Sequence, residues 1–192
     1  MEHLTSQDLC RLFEFLHNLY ELRDHDAFKQ HLVRGIADLV PADVYSYNEI
    51  RPSKKLLTAY AIWPAEFPLP RDTPEIVGRY QHQIPLLTHY LTTGKGEVAK
   101  ISDFMSYREF QRTDFHNQFF GPIGVPYCMG FGILLNRDGL IGIGLHRNGK
   151  DYTERDRRIL CGTASAHPSG LRKRPGGHPH ARWNSGAPWS TG

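Results

Sequence analysis

The side chains in this sequence best suited to hold a metal or attack an electrophile are eleven histidines and three cysteines, and their spacing suits neither task. His82, His89, His116, His146 and His167 lie scattered beside carboxylates, whereas metal sites draw on ligands at short, fixed intervals. His178-Pro179-His180 would bind stray metal weakly at best. Cys10, Cys128 and Cys161 stand singly, so neither a disulfide framework nor a zinc knuckle is indicated. Cys128, beside Met129 in an apolar run, reads as a small buried hydrophobe and not as a nucleophile. There is no Gly-x-Ser-x-Gly elbow and no phosphate loop. Gly130, Gly132, Gly142 and Gly144 alternate along two strand-like runs, the pattern of close backbone approach or of room for a ligand. What remains is non-covalent chemistry, with no catalytic residue, metal or cofactor expected. Aromatic side chains are its best carriers, because apolar walls with a few placed polar groups make a small-molecule pocket. Tyr45 and Tyr47 alternate onto one strand face and are the first candidates.

The elements that must position such a pocket follow from periodicity. Leu9, Leu12, Phe13, Leu16, Leu19 and Tyr20 recur at helical spacing after a Thr5-x-x-Asp8 capping box. Phe28, Leu32, Ile36 and Leu39 stripe a second helix that Pro41 closes. Residues 43–50 and 56–62 are strand-like, joined by a hairpin through Arg51-Pro52-Ser53-Lys54. Three prolines make residues 63–71 an extended loop, and Thr73-Pro74-Glu75 starts a helix with Thr73 as its cap. Short helices are expected near 86–91 and between 106 and 119. Residues 127–135 and 140–145 form two last strands across Asn136-Arg137-Asp138-Gly139, and Asp-Gly is a strong hairpin signal. After a turn at Asn148-Gly149, Thr153 caps a final helix whose acidic first turn suits the positive helix end. Two helices, a hairpin, a helical insertion, a hairpin and a closing helix predict an α/β (α+β) fold. Its antiparallel sheet is flanked by helices, not doubly wound.

About 160 residues are enough for one domain with a real core. The formal charge of +3 misleads, because four Arg/Lys and no acidic residue fall after residue 160. The body holds 19 basic and 20 acidic side chains, which leaves no electrostatic footprint for DNA or a membrane surface. No signal peptide and no long apolar run are apparent, so the expectation is a cytoplasmic protein.

Several blocks resemble one bacterial group. They are Lys100-Ile-Ser-Asp-Phe-Met-Ser106, Phe119-Phe-Gly-Pro-Ile-Gly-Val-Pro-Tyr127 and Gly144-Leu-His-Arg-Asn-Gly-Lys-Asp-Tyr-Thr-Glu-Arg-Asp-Arg157. With Asp43-Val-Tyr-Ser-Tyr-Asn-Glu49 and Ile84-Pro-Leu-Leu-Thr-His-Tyr90, they are similar to the GAF-type sensory domains that precede a LuxR-type helix-turn-helix in transcriptional regulators. The resemblance spans about residues 9–160. It implies a GAF-like antiparallel sheet that holds a small ligand under a lid of short helices and loops. It adds His89, Tyr90, Phe104, Phe120 and Tyr127 to Tyr45 and Tyr47 as ligand-binding candidates. The function implied is small-molecule sensing in transcription regulation, with an unknown ligand as partner. Two alternatives stand beside it: a homodimerisation module pairing through the terminal helices, and a small Cys128-dependent enzyme on the same fold.

The chain departs from that group after residue 160. The final helix should continue with apolar residues; instead, residues 161–192 hold six Gly, four Pro, one Leu and no Ile, Val, Phe, Tyr or Met. Shifted by one base, the codons from Gly162 onward permit a Leu/Arg/Pro/His/Leu-rich continuation like that of the group. The expectation is therefore a sensor domain over 1–160 and a disordered tail over 161–192, the product of a frameshift that removes the DNA-binding domain. A genuine disordered tail is the alternative. Either way no sequence-specific DNA binding by this chain is expected, because a recognition helix needs an apolar core to fix it.

Overall fold

A computed structural model describes residues 4–21, 25–136 and 139–165. The tail expectation falls almost wholly outside them, as does the hairpin tip Arg137-Asp138. Helices α1 (Ser6–Glu21) and α2 (His25–Ala37) lead into strands β1 (Val44–Arg51) and β2 (Leu56–Trp63). Then come α3 (Thr73–Tyr80), α4 (Pro85–Thr93), the short strand β3 (Ala99–Lys100) and α5 (Tyr107–Phe110). A π-helical turn at His116–Phe120 runs into α6 (Gly121–Ile123). Strands β4 (Tyr127–Asn136) and β5 (Gly139–Arg147) and helix α7 (Glu154–Ser165) complete the fold. The sheet order is β2-β1-β5-β4-β3, with every pairing antiparallel. The predicted architecture is thus observed. The join between the two hairpins is the non-local pairing of β1 with β5, in which Ser46 lies opposite Gly144 and Asn48 opposite Gly142.

Local chemistry explains the element ends. At the start of α1 the Thr5 amide donates to Asp8 Oδ2 at 2.9 Å and the Asp8 amide donates to Thr5 Oγ1 at 3.2 Å, the expected reciprocal box. Lys55, left-handed at φ 51°, closes the turn between β1 and β2. Asp72, not Thr73, precedes α3, because the Thr73 hydroxyl turns back to donate to Pro70 O at 2.7 Å. Gly149 takes φ 85° in the expected turn, a conformation glycine enters at no steric cost, and its amide donates to Asn148 Oδ1 at 2.7 Å.

Two cores sandwich the sheet. On one face α1, α2 and α7 cover Tyr45, Tyr47, Met129, Phe131, Ile143 and Leu145. On the other face α3, α4 and the 99–120 connection bury Ile50, Leu57, Leu86, Tyr90, Phe110 and Phe120. A large apolar side chain so buried stabilises the fold by about 2 kcal/mol relative to solvent exposure. The stripe expected on α1 divides: Leu12 and Phe15 are buried, whereas Leu9 and Phe13 are 41% and 67% exposed. Apolar residues recur on two faces of this helix, and only one is covered.

Helix α7 also differs from its expected end. It runs to Ser165, five residues past the compositional break. Ile159, Leu160 and Thr163 are buried, with Thr163 Oγ1 donating to Ile159 O at 3.3 Å. Small residues serve packing here: a Cβ on Gly162 would meet Leu12 Cδ2 at 2.5 Å, so glycine lets α7 approach α1. The loss of aliphatic residues after 160 does not by itself stop the helix, because Thr, Ala and Ser are tolerated within one.

Candidate ligand cavity

The sheet face opposite α1, α2 and α7 is incompletely filled. A cavity of about 130 Å³ lies between it and the helical insertion. That is on the order of ten times the space one water molecule needs. Its floor is made by alternate residues of β1 and β5: Val44, Ser46 and Asn48 beside Gly142, Gly144 and His146. Ile84, Leu87 and Tyr90 of the insertion and the Phe115/Phe119/Phe120 cluster form its walls. Tyr60 on the edge strand β2 lines it while 42% exposed, which marks the side that meets solvent.

The glycines give the floor its shape. A Cβ on Gly144 would sit 2.7 Å from His146 Nε2 and 2.8 Å from Ser46 Oγ, so that position is already filled by its neighbours. A Cβ on Gly132 would sit 2.7 Å from the Tyr90 ring, which lies over the backbone there and donates its hydroxyl to Gly130 O at 2.9 Å. A Cβ on Gly142 meets no atom within 4 Å. The space over Gly142 is therefore open.

A polar cluster lies in the floor of this mostly apolar lining. Ser46 Oγ lies 3.1 Å from His146 Nε2 and accepts from Asn48 Nδ2 at 3.0 Å. Its own hydroxyl reaches Gly144 O at 3.5 Å. A His146 that donates from Nε2 completes the serine's one donor and two acceptors. Burial pushes the His146 imidazole down to about 4, since desolvation penalises the charged ring, and so it is neutral at physiological pH. Its Nδ1 is sealed from solvent without a partner. Among the described residues no Asp, Glu, Lys or Arg lines the cavity. The cavity is thus mostly apolar, with its polar groups gathered at the Ser46, Asn48 and His146 floor.

Of the seven residues expected to bind ligand, Tyr90 and Phe120 line this cavity. Tyr45 and Tyr47 lie on the opposite face of the sheet. Tyr45 donates to Val40 O at 2.9 Å and accepts from the Ala42 amide at 2.7 Å, and Tyr47 donates to Glu49 at 3.1 Å. The period of two sends Ser46 and Asn48 to the cavity instead. The His89 ring lies 4.9 Å from that of Phe104 at a tilt of 40°, Phe104 itself is 41% exposed, and His89 Nε2 lies 3.2 Å from Glu97; neither ring lines the cavity. Tyr127 packs 5.5 Å from Tyr107 at a separate cleft of about 20 Å³. Sequence reasoning did not single out Ser46 and Asn48, which line the cavity, and weighed His146 only as a metal ligand. The available signal was a pair of polar residues alternating with tyrosines on a strand buried on both faces.

Cys128 lines the cavity wall, and burial pushes its thiol well above the usual range, which opposes a thiolate nucleophile. Among the described residues no group of three or more His, Cys, Asp or Glu is placed to hold a metal ion. No described helix is long and apolar enough to cross a membrane.

The fold is one that solved structures share. The chain is similar to the VqsR LBD domain from Pseudomonas aeruginosa at 15% identity and a TM-score of 0.55, covering 83% of this chain and 93% of that one. It is also similar to the N-acylhomoserine lactone dependent LuxR family transcription factor CepR2 from Burkholderia cenocepacia, at 15% identity and a TM-score of 0.58. That match covers 87% of this chain and 97% of the other. No family model matches the sequence. No curated protein matches it.

Proposed function

We propose that residues 4–165 are a small-molecule-sensing regulatory domain of the kind found in LuxR-type transcriptional regulators, and that the ligand occupies the cavity beneath the insertion. The observation that carries this reading is an uncharged, mostly apolar cavity with one polar cluster, placed on the sheet of a fold shared with CepR2, a regulator described as N-acylhomoserine lactone dependent. Tyr90 and Phe120 remain from the expected ligand contacts, and Ser46, Asn48 and His146 join them. The reading is tested by screening neutral small molecules, ring and chain compounds together, by thermal shift on the full chain and on Phe120→Ala. Ligands that stabilise the wild type and act more weakly on the variant support it; a panel that stabilises neither counts against it.

Residues 166–192 contain a single aliphatic side chain larger than alanine, and we propose no sequence-specific DNA contact through them.

Self-association is a second reading. It rests on Leu9 and Phe13, exposed one turn apart on α1. Sedimentation of the full chain and of Phe13→Glu checks it, since a dimer built on this face dissociates in the variant.

A further inference from the structure

We infer that the cavity takes a compact, uncharged aromatic or heteroaromatic molecule of one or two fused rings, lying over Gly142 and presenting a hydrogen-bond donor to Asn48. This rests on the sensing reading and narrows it to a ligand class.

Size comes first. A cavity of about 130 Å³ compares with the roughly 150 Å³ cavity that binds one benzene in an engineered core. A ring compound fills such a volume, whereas a long acyl chain with a head group exceeds it.

Shape comes second. The open space is over Gly142, where no side chain rises from the floor and no atom lies within 4 Å of a Cβ position. The wall is aromatic: Phe115 and Phe119 stack at 5.5 Å, and Phe120 meets each of them edge-on at 5.5 Å. These rings offer both faces and edges, the surfaces that a planar ligand engages in offset or edge-to-face contact.

Polarity comes third. The Asn48 amide nitrogen is engaged by Ser46 Oγ at 3.0 Å and Gly142 O at 3.5 Å, which leaves its Oδ1 as the acceptor available at the floor. A ligand N–H or O–H satisfies it. A charged ligand finds no counter-ion among the described lining residues and is disfavoured by the cost of desolvation.

The test uses the full chain and three probes: indole (neutral ring with an N–H), indole-3-acetate (the same ring with a carboxylate) and N-octanoyl-homoserine lactone (neutral, with a chain). Binding is measured by calorimetry and thermal shift on wild type, Gly142→Val and Asn48→Leu, with circular dichroism confirming that each variant folds. The expected result is saturable indole binding that weakens tenfold or more in Gly142→Val, where the side chain occupies the open space, and also weakens in Asn48→Leu. Indole-3-acetate should bind at least tenfold more weakly than indole. Absence of indole binding, or equal indole binding to wild type and Gly142→Val, overturns the inference. Binding of the octanoyl lactone without indole overturns the ring class and leaves the sensing reading standing, whereas a broad panel that yields no cavity ligand removes both.

Discussion

His146 and Arg147 are adjacent on β5 and serve opposite faces of the sheet. His146 Nε2 meets Ser46 Oγ at 3.1 Å on the cavity floor, while Arg147 Nη2 donates to Asp156 Oδ2 at 3.2 Å at the start of α7. Arg147 also donates to the carbonyls of Lys150 at 2.8 Å and Asp151 at 2.6 Å, and it stacks over Tyr152 at 3.9 Å. One dipeptide thus ties the cavity side of the sheet to α7.

The grip on α7 is a stability element. Asp156 Oδ2 also accepts from the Thr153 amide at 2.9 Å, so a single carboxylate caps the helix and neutralises a buried guanidinium. Asp156→Ala should cost about 3 kcal/mol, because it strands that charge. Thr153→Ala should cost about 1 kcal/mol, the value of a cap alone. Urea denaturation at neutral pH measures both.

The two glycines at the floor should respond in opposite directions. Gly142→Ala enters open space and restricts the unfolded chain, so it should be neutral or stabilising by up to about 1 kcal/mol. Gly144→Ala forces a methyl against His146 and Ser46 and should destabilise by about 1–3 kcal/mol. Equal losses for both would refute an open floor at Gly142.

Neighbouring residues of β1 should separate stability from binding. Tyr45→Phe leaves the Val40 carbonyl and the Ala42 amide without their shared partner and should cost about 1–3 kcal/mol, with no change in affinity for any cavity ligand. Ser46→Ala should disturb the polar cluster and lower that affinity, as calorimetry on the two variants would show.

Acid should weaken the fold over a defined window. The His146 imidazole titrates at about 4 when folded and at about 6.5 in an unfolded chain. Between those values the unfolded state binds more protons, so stability rises with pH there. The contribution is full above about 6.5 and lost as pH falls to about 4, by at most about 3 kcal/mol. His146→Asn should flatten the curve over this range. Asp8 acts at lower pH: hydrogen bonding from the Thr5 amide holds its carboxyl below the usual range, so its contribution disappears only as acid protonates it.

Thiol reactivity should divide the cysteines. Cys10 and Cys161 are exposed and Cys128 is buried with a raised thiol. The native protein should therefore titrate two thiols with a disulfide reagent, Cys161 more slowly because partial burial raises its thiol, and the third only on unfolding. Rapid modification of Cys128 at neutral pH would restore the cysteine-enzyme alternative.

Much of this fold was legible in linear patterns because the physics behind those patterns is local. The Thr5/Asp8 and Thr153/Asp156 boxes, the turns at 51–55 and 148–149 and the strand runs from 43 to 62 and from 127 to 145 depend on residues a few positions apart. The candidate site was only partly legible. Alternation in Val44-Tyr45-Ser46-Tyr47-Asn48 states that tyrosines share one face and Ser46 and Asn48 the other, but it does not state which face is filled by helices. Choosing by aromatic type favoured Tyr45 and Tyr47, which the first core had taken. His89, Phe104 and Tyr127 belong to the right segments, yet a helix or turn rotated by one residue directs a side chain away from a cavity.

The sequence by itself determined the element order, the antiparallel class and the near-neutral body, since these follow from spacing, turn chemistry and composition. Tertiary structure alone decided that β1 pairs with β5, which brings Ser46, Asn48 and His146 together from residues about 100 positions apart. It also decided that the space over Gly142 stays open and that α7 continues past the change in composition to Ser165. The physical reason is the same in each case: long-range pairing and the filling of volume depend on what the rest of the chain places opposite a residue, and no local pattern contains that information.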